Sequence, residues 1–307
     1  MSLLPRILRP AALLLLTAAV LRADALDEWT WRSPEAKGSF KGENYNGLAY
    51  AAGTLVIAAG NGRVLVRQDA AGVWLRPETG TQRPLYGVAT ANQVFYAVGA
   101  RGTVITSKGG ETWVARNSTV TEPIFALTYT DSTFAGVGAA GTVVTSGRSG
   151  QWSSQASSTR ESLFGVAYFD QKFIAVGAAG TIAKSDNASL WLARPSGVTT
   201  DLRAVATDGR RFVVVGDEGV VLTSLDGDRW TRRNPGTTRA LFGVTFARGM
   251  FVAVGEEGAI LTSPDGERWT ARKSGVAHLL KAVALAKDTL WVVGDNGAIL
   301  ESGTLGR

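Results

Sequence analysis

Residues 163–194 read LFGVAYFDQKFIAVGAAGTIAKSDNASLWLAR. Four short runs stand out, at 163–168, 172–176, 181–185 and 190–194, rich in β-branched and aromatic residues and separated by Gly, Asp and Asn. That is the pattern of short strands joined by tight turns. The pattern recurs on both sides with a period of 39 residues. Gly60, Gly99, Gly138, Gly177, Gly216, Gly255 and Gly294 keep that step, as do Trp74, Trp113, Trp152, Trp191, Trp230 and Trp269. Phe95, Phe134, Phe173, Phe212 and Phe251 make a third register, and Ser107, Ser146, Ser185, Ser224, Ser263 and Ser302 a fourth. No helical apolar period persists after residue 26. Four strands per unit of about 40 residues, repeated, describes a β-propeller blade. The expectation is an all-β, seven-bladed propeller of four-stranded, 39-residue blades. The alternative, a right-handed β-helix, usually has coils of about 20–25 residues.

The ends say how the ring closes. The seventh unit stops at Leu300-Glu-Ser-Gly303, without its tryptophan strand. Glu28-Trp-Thr-Trp-Arg32 supplies an orphan one, comparable with Trp230-Thr-Arg-Arg233 and Trp269-Thr-Ala-Arg272. The last blade is therefore expected to be completed by the N-terminal strand. A β-helix would not need that strand.

Ahead of it, Arg6 and Arg9 precede an apolar run from Ala11 to Leu21, and Ala23-Asp24-Ala25 follows. This reads as a signal peptide over residues 1–25, with the propeller over 26–307. An uncleaved N-terminal anchor is the other reading of the segment. The run is too short to span a bilayer as a helix, and no later segment offers a span. The expected location is outside the cytoplasm, periplasmic or secreted.

Of the 307 residues, 45% are hydrophobic and 19% charged; 37 are glycine and none is cysteine. Disulfides and cysteine metal sites are excluded, and the lone His278 excludes a multi-histidine site. The formal charge of +6 falls to +4 without Arg6, Arg9, Arg22 and Asp24. That is too mild to indicate nucleic acid. No metal or cofactor is expected, and the chain reads as a monomer.

In the strand at 163–168, Phe164, Val166 and Tyr168 share one face and Gly165 and Ala167 the other. Gly87, Ala126, Ala204, Gly243 and Ala282 repeat the small position, which lets neighbouring blades interlock near the axis. The Phe and Trp registers are expected to fill the periphery as core. The Gly-x-x-Gly segments read as hairpin turns; the following helix that a phosphate loop requires is absent. Arg116, Arg194, Arg233 and Arg272, each three residues after a blade tryptophan, with Arg32 and Arg76, read as guards of the outermost strands. A dock for an anionic surface is the other reading.

Ser224-Leu-Asp-Gly-Asp-Arg-Trp230 and Ser263-Pro-Asp-Gly-Glu-Arg-Trp269 resemble the Asp-box (bacterial neuraminidase-type) repeat. Ser107 to Trp113 lacks the aspartate, Ser146 to Trp152 is more degraded, and Ser185-Asp-Asn-Ala-Ser-Leu-Trp191 reads as shifted by one. With Val-Gly-x-x-Gly and the export segment, residues 28–303 resemble propellers of the photosystem II stability and assembly factor family and related bacterial repeat proteins. The resemblance implies a structural role for Asp226 and Asp265. It also implies a non-catalytic assembly scaffold with a protein partner, a membrane-complex subunit among the candidates.

Propellers bind most often where the inner strands begin. That ring reads Asn46, Tyr86, Phe125, Phe164, Arg203, Phe242 and Lys281. The second-to-third turns on the same face add Asp217, Glu218, Glu256, Glu257 and Asp295, five carboxylates on one arc. Two readings stay open there: a solvated rim neutralised by local ion pairs, or a polarised mouth for a partner. No catalytic residue is expected. The alternative function is a carbohydrate-active propeller, binding or hydrolysing glycans. A sialidase site needs an arginine triad, whereas this ring offers only Arg203 and Tyr86. Other glycosidases need two carboxylates about 5–9.5 Å apart, for which Glu218 and Glu257 are the candidates. A histidine-based nucleophile could use only His278.

Overall fold

The computed structural model describes residues 25–32, 42–130, 132–147 and 150–306. The signal-peptide reading of residues 1–25 falls almost wholly outside them. Seven four-stranded antiparallel sheets follow one another around an axis. Blade 4 shows the pattern: Leu163–Phe169, Lys172–Gly177, Ile182–Ser185 and Leu192–Arg194, each paired with the next in sequence. The inner strands of the other blades are Tyr45–Ala51, Leu85–Ala91, Ile124–Tyr129, Leu202–Thr207, Leu241–Ala247 and Leu280–Ala286.

The seventh sheet closes the ring as the sequence implies. Trp29–Trp31 pairs antiparallel with Ile299–Ser302, in the register Trp29 to Ser302, Thr30 to Glu301 and Trp31 to Leu300. Main-chain bonds extend the seam, with Gly303 N donating to Glu28 O (2.8 Å) and Arg32 N to Ile299 O (2.8 Å). Arg32 Nε bonds Glu301 at 2.8 Å. Leu26 and Leu305 are buried together against Met250, Val252 and Leu290 of blades 6 and 7. An otherwise open edge is thereby covered.

Between blades lie apolar clusters, one per interface. Val166 and Tyr168 pack toward blade 3, whereas Ala167 packs with Val205, Phe212 and Val214 of blade 5. The two faces of each inner strand thus belong to two neighbours. The small row permits the approach: a Cβ on Gly87 would stand 2.6 Å from Phe125 O, and one on Gly243 2.6 Å from Lys281 O. The Phe and Trp registers are core, with Phe173 against Trp191 at 6.1 Å and Phe134 against Trp152 at 5.9 Å. The outer-strand arginines bond sideways to the third strand or the next blade. Arg233 Nε donates to Thr223 (2.9 Å), Arg272 Nε to Thr262 (3.0 Å) and Arg194 Nε to Asp228 (2.6 Å).

In Val-Gly-x-x-Gly the two glycines serve different ends. The first is extended, and a Cβ there would strike the chain entering the blade, 2.1 Å from Pro84 O at Gly99. The second takes positive φ, +63° at Gly102, in a turn closed by Thr103 N to Ala100 O. Gly60 keeps the 39-residue spacing but not the place. It occupies the position of Ala100, since the turn Gly60–Gly62 matches Ala100–Gly102. Blade 1 is one residue longer than the spacing of glycines implies.

The Asp-boxes lie in the third-to-fourth turns, at the end opposite the inner-strand starts. Asp226 Oδ1 accepts from the N–H of Asp228 and Arg229 (2.9 Å each), and Gly227 N donates to Ser224 Oγ (2.8 Å). Asp265 repeats this with Glu267 and Arg268. Blade 4 is not shifted by one, as the sequence suggested. Asn187 stands in the aspartate's place and accepts from Ser189 N (2.9 Å) and Leu190 N (3.1 Å), because an amide oxygen serves the turn as well as a carboxylate.

Asp226 is held at a pKa of about 2 by the N–H groups of Arg229 and Asp228. At Asp265 burial acts upward, but the N–H groups of Arg268 and Glu267 outweigh it and the value is again about 2. A folded-state pKa below the unfolded ~3.9 means stability that is complete above about pH 4 and lost as pH falls toward 2. Asp226→Ala is expected to cost about 1–2 kcal/mol at pH 7. Asp226→Asn should cost less than half of that and flatten the acid limb. Denaturant melts of the three proteins between pH 2 and 7 measure both effects.

Candidate functional site

All seven inner strands carry an irregularity at their second residue. In blade 4 Leu163 pairs with Gly177 and Gly165 with Val176, so Phe164 has no partner across the sheet. The same step isolates Asn46, Tyr86, Phe125, Arg203, Phe242 and Lys281. A bulge re-aims its extra side chain out of the sheet. Here seven bulges aim seven side chains at the axis, and all seven line one cavity of about 380 Å³. The sequence placed this ring correctly. The bulge that turns it inward leaves no mark in the spacing.

The ring is a chain of contacts. Lys281 Nζ donates to Asn46 Oδ1 (3.3 Å), and Asn46 Nδ2 to Leu85 O (2.8 Å), beside Tyr86. Tyr86 meets Phe125 at 5.3 Å and Phe125 meets Phe164 at 5.7 Å between ring centroids, both tilted. The Arg203 guanidinium lies between two rings, 5.0 Å from Phe164 and 5.2 Å from Phe242. Such contacts contribute roughly 0.5–2 kcal/mol each. Every ring residue is half-buried. Below them come the small row and then an aliphatic row, Leu48, Val88, Leu127, Val166, Val205, Val244 and Val283, lining the same cavity. The opening is thus an aromatic and cationic collar above an apolar funnel. The aliphatic row was not singled out from the sequence, although its position two residues after the collar was available as a signal.

The five rim carboxylates do not form a free acidic arc. Asp217 accepts a bidentate pair from Arg203, at 2.8 and 2.6 Å. Asp295 pairs with Lys281. Both pairs span 14 residues, because the strand start and the second turn lie side by side in each sheet; that shared spacing was the signal for them. Glu257 pairs with Arg239 at 2.6 Å, and Glu256 accepts from Ala240 N at 3.0 Å. Glu218 is exposed, and among the described residues it has no ion pair within 4.0 Å. Asp201, missed from the sequence, adds a second carboxylate 3.2 Å from Arg203 and accepts from Ala179 N. Hydrogen bonding to Asp217 raises the Arg203 pKa, opposed by burial and assisted by the charges of Asp217, Asp201 and Glu256.

Arg203 is the one arginine in the collar, and it is engaged by two aspartates. Glu257 is tied to Arg239. The His278 ring packs on Trp31 at 5.6 Å, at the closing seam. Among the described residues no group of three or more His, Cys, Asp or Glu could hold a metal ion, and no helix is long and apolar enough to cross a membrane.

No protein-family model matches the chain, and no curated protein matches it. Solved structures do. YCF48 from Cyanidioschyzon merolae superposes with a TM-score of 0.71 at 13% identity, over 90% of this chain and 99% of that one. A structure of YCF48 bound to D1 peptide gives 0.73 at 13%, over 90% and 95%. The WD40 β-propeller domain of Doa1 gives 0.72 at 14%, over 91% and 98%. The chain is a seven-bladed propeller structurally similar to YCF48. At these identities the likeness concerns fold, in agreement with the family resemblance seen in the sequence.

Arg203 and Asp217 have side chains only 25% and 28% exposed, so the pair is expected to matter more than a surface ion pair. Alanine at either position should lower stability by about 1–2 kcal/mol, with a coupling near 1 kcal/mol in the double-mutant cycle. Additive losses in urea melts would show that the two side chains act separately.

Proposed function

We propose that this protein is an exported, non-catalytic binding scaffold that engages a protein partner at the collar of inner-strand starts. The observation that carries the reading is the collar itself. Tyr86, Phe125, Phe164 and Phe242 are large, half-exposed and held in contact with one another or with Arg203, around an opening whose deeper wall is aliphatic. Rigid aromatic side chains beside an arginine are what protein interfaces use as anchors. The bulges hold these residues in position at no cost to a partner, which limits the ordering entropy of binding. A structure of YCF48, a similar propeller, carries a D1 peptide, and this supports a peptide or protein as the class of ligand here. Fold likeness alone does not assign function; the weight rests on the collar. Export rests on the sequence of residues 1–25.

Position-specific photocross-linking tests this. Benzoylphenylalanine replacing Phe164 should yield an adduct with a defined protein in the host's envelope fraction. The same probe replacing Leu225, an exposed residue of the turn at the opposite end (70%), should not. Phe125→Ala together with Tyr86→Ala should remove the adduct while the circular-dichroism melt stays cooperative. Labelling at Leu225 but not at Phe164, or capture of glycan in place of protein, would overturn the reading.

A further inference from the structure

The rim is not electrically even. Near Arg203 stand Asp201 and Asp217, both ion-paired to it, and Glu256, whose charge acts on the same guanidinium. Glu218 is the exposed tip of the turn Asp217–Gly219, and that turn lies next to the inner strand of blade 6, Leu241–Ala247. One guanidinium therefore faces three carboxylates, Asp201, Asp217 and Glu256, with Glu218 on the turn that follows Asp217. Glu218 has no ion pair among the described residues, and Glu256 bonds only to an uncharged N–H. The excess negative charge sits on the blade 5–6 side of the opening. The opposite side has an aromatic collar, Tyr86 to Phe164, and no carboxylate in its second-to-third turns, where blade 2 carries the exposed Arg101. Between the two lies the opening, about 380 Å³ in volume, lined by the collar above and by the aliphatic row below. That is near the lower limit of ligand-sized cavities and holds a large side chain rather than a folded element.

We infer that the occupant is an extended protein segment that lowers one bulky apolar side chain into the funnel and sets a neighbouring Lys or Arg over Glu218 and Glu256. This rests on the collar being the protein-binding face and adds what that face selects. The apolar side chain gains by leaving water for the funnel wall. The basic residue gains from uncompensated carboxylates whose field is concentrated by the low-dielectric wall beside them. An acidic segment would meet those same carboxylates, so the rim discriminates by repulsion as well as attraction. Attraction at an exposed rim is screened by salt, so binding should weaken from low to physiological ionic strength.

The test is selection of phage-displayed random 12-residue peptides on the full chain, followed by fluorescence anisotropy with synthetic copies of the enriched sequences. Enriched peptides should carry Phe, Trp or Leu within two residues of Lys or Arg. Replacing the apolar residue by Ala should weaken binding about tenfold or more. Replacing the basic residue by Gln should weaken it severalfold; that loss should shrink in Glu218→Gln and vanish in the double variant Glu218→Gln/Glu256→Gln, where both charges are gone. Val88→Phe, which fills the funnel, should abolish binding. The peptide-side changes keep the result readable if that variant folds poorly. Enriched sequences that are acidic or lack a bulky apolar residue, an affinity unaffected by Glu218→Gln, or no enrichment at all would overturn the inference. Binding that needs Phe125 and Phe164 but neither the funnel nor Glu218 would overturn it and leave the collar as the protein-binding face.

Discussion

A ring of sheets exists only if its last sheet finds its first strand. Here the bond is made by three residues, Trp29–Trp31, laid antiparallel on Ile299–Ser302. Everything at the axis depends on it. The seven collar residues come from seven blades that share no local sequence contact, and they face one another only because the circle is complete. The seam is reinforced where it is most exposed, by Arg32 on Glu301 outside and by Leu26 and Leu305 buried beneath. Because the strand comes from the far end of the chain, the structure gathers both ends into one blade and leaves no sheet with its outer edge missing.

Closure also tightens a second constraint. Seven inner strands crowd the axis, and the position after each collar residue is Gly or Ala because the next blade's backbone stands where a larger side chain would go. The chain answers the crowding with a bulge in every inner strand. The bulge moves a large side chain out of the inter-blade contact and into the opening. One device thus accounts for both the tight axis and the exposed aromatic collar. The arrangement that packs the ring also produces its candidate binding surface.

Much of this was legible in the sequence because repetition makes weak signals strong. One run such as Phe164-Gly-Val-Ala167 says little; seven comparable runs in register give the blade, its inner strand and the collar positions. The N-terminal Trp29-Thr-Trp31 was readable as the missing strand because the seventh unit lacked one. What stayed hidden was whatever spacing does not encode. The bulge changes where Phe164 points without changing its place in the count. Gly60 fell on the glycine comb while standing one residue from its structural equivalent, since a one-residue insertion can preserve an interval by coincidence. Asp217 and Asp295 could be read from the sequence either as partners in local ion pairs or as part of a free acidic arc, and only the geometry, with Arg203 on Asp217 and Lys281 on Asp295, decides for the pairs. In blade 4 the pattern reads as shifted because its aspartate, Asp186, stands one residue before Asn187, whose amide oxygen accepts the turn's N–H groups. The 14-residue spacing between a strand start and its neighbouring turn is what carries the Arg203–Asp217 and Lys281–Asp295 pairs in the sequence.

The chain has no cysteine, which makes the closing register open to a direct measurement. Thr30 and Glu301 are cross-strand partners, with α-carbons about 5.5 Å apart in a hydrogen-bonded antiparallel pair, inside the range a disulfide spans. In the Thr30→Cys/Glu301→Cys protein, mild oxidation is expected to join the two ends within a single chain. The product should be monomeric, migrate faster on non-reducing gels and resist denaturant better than its reduced form. Thiols that stay free in the folded protein, or that react only between molecules, would contradict the closed ring and with it the geometry of the collar.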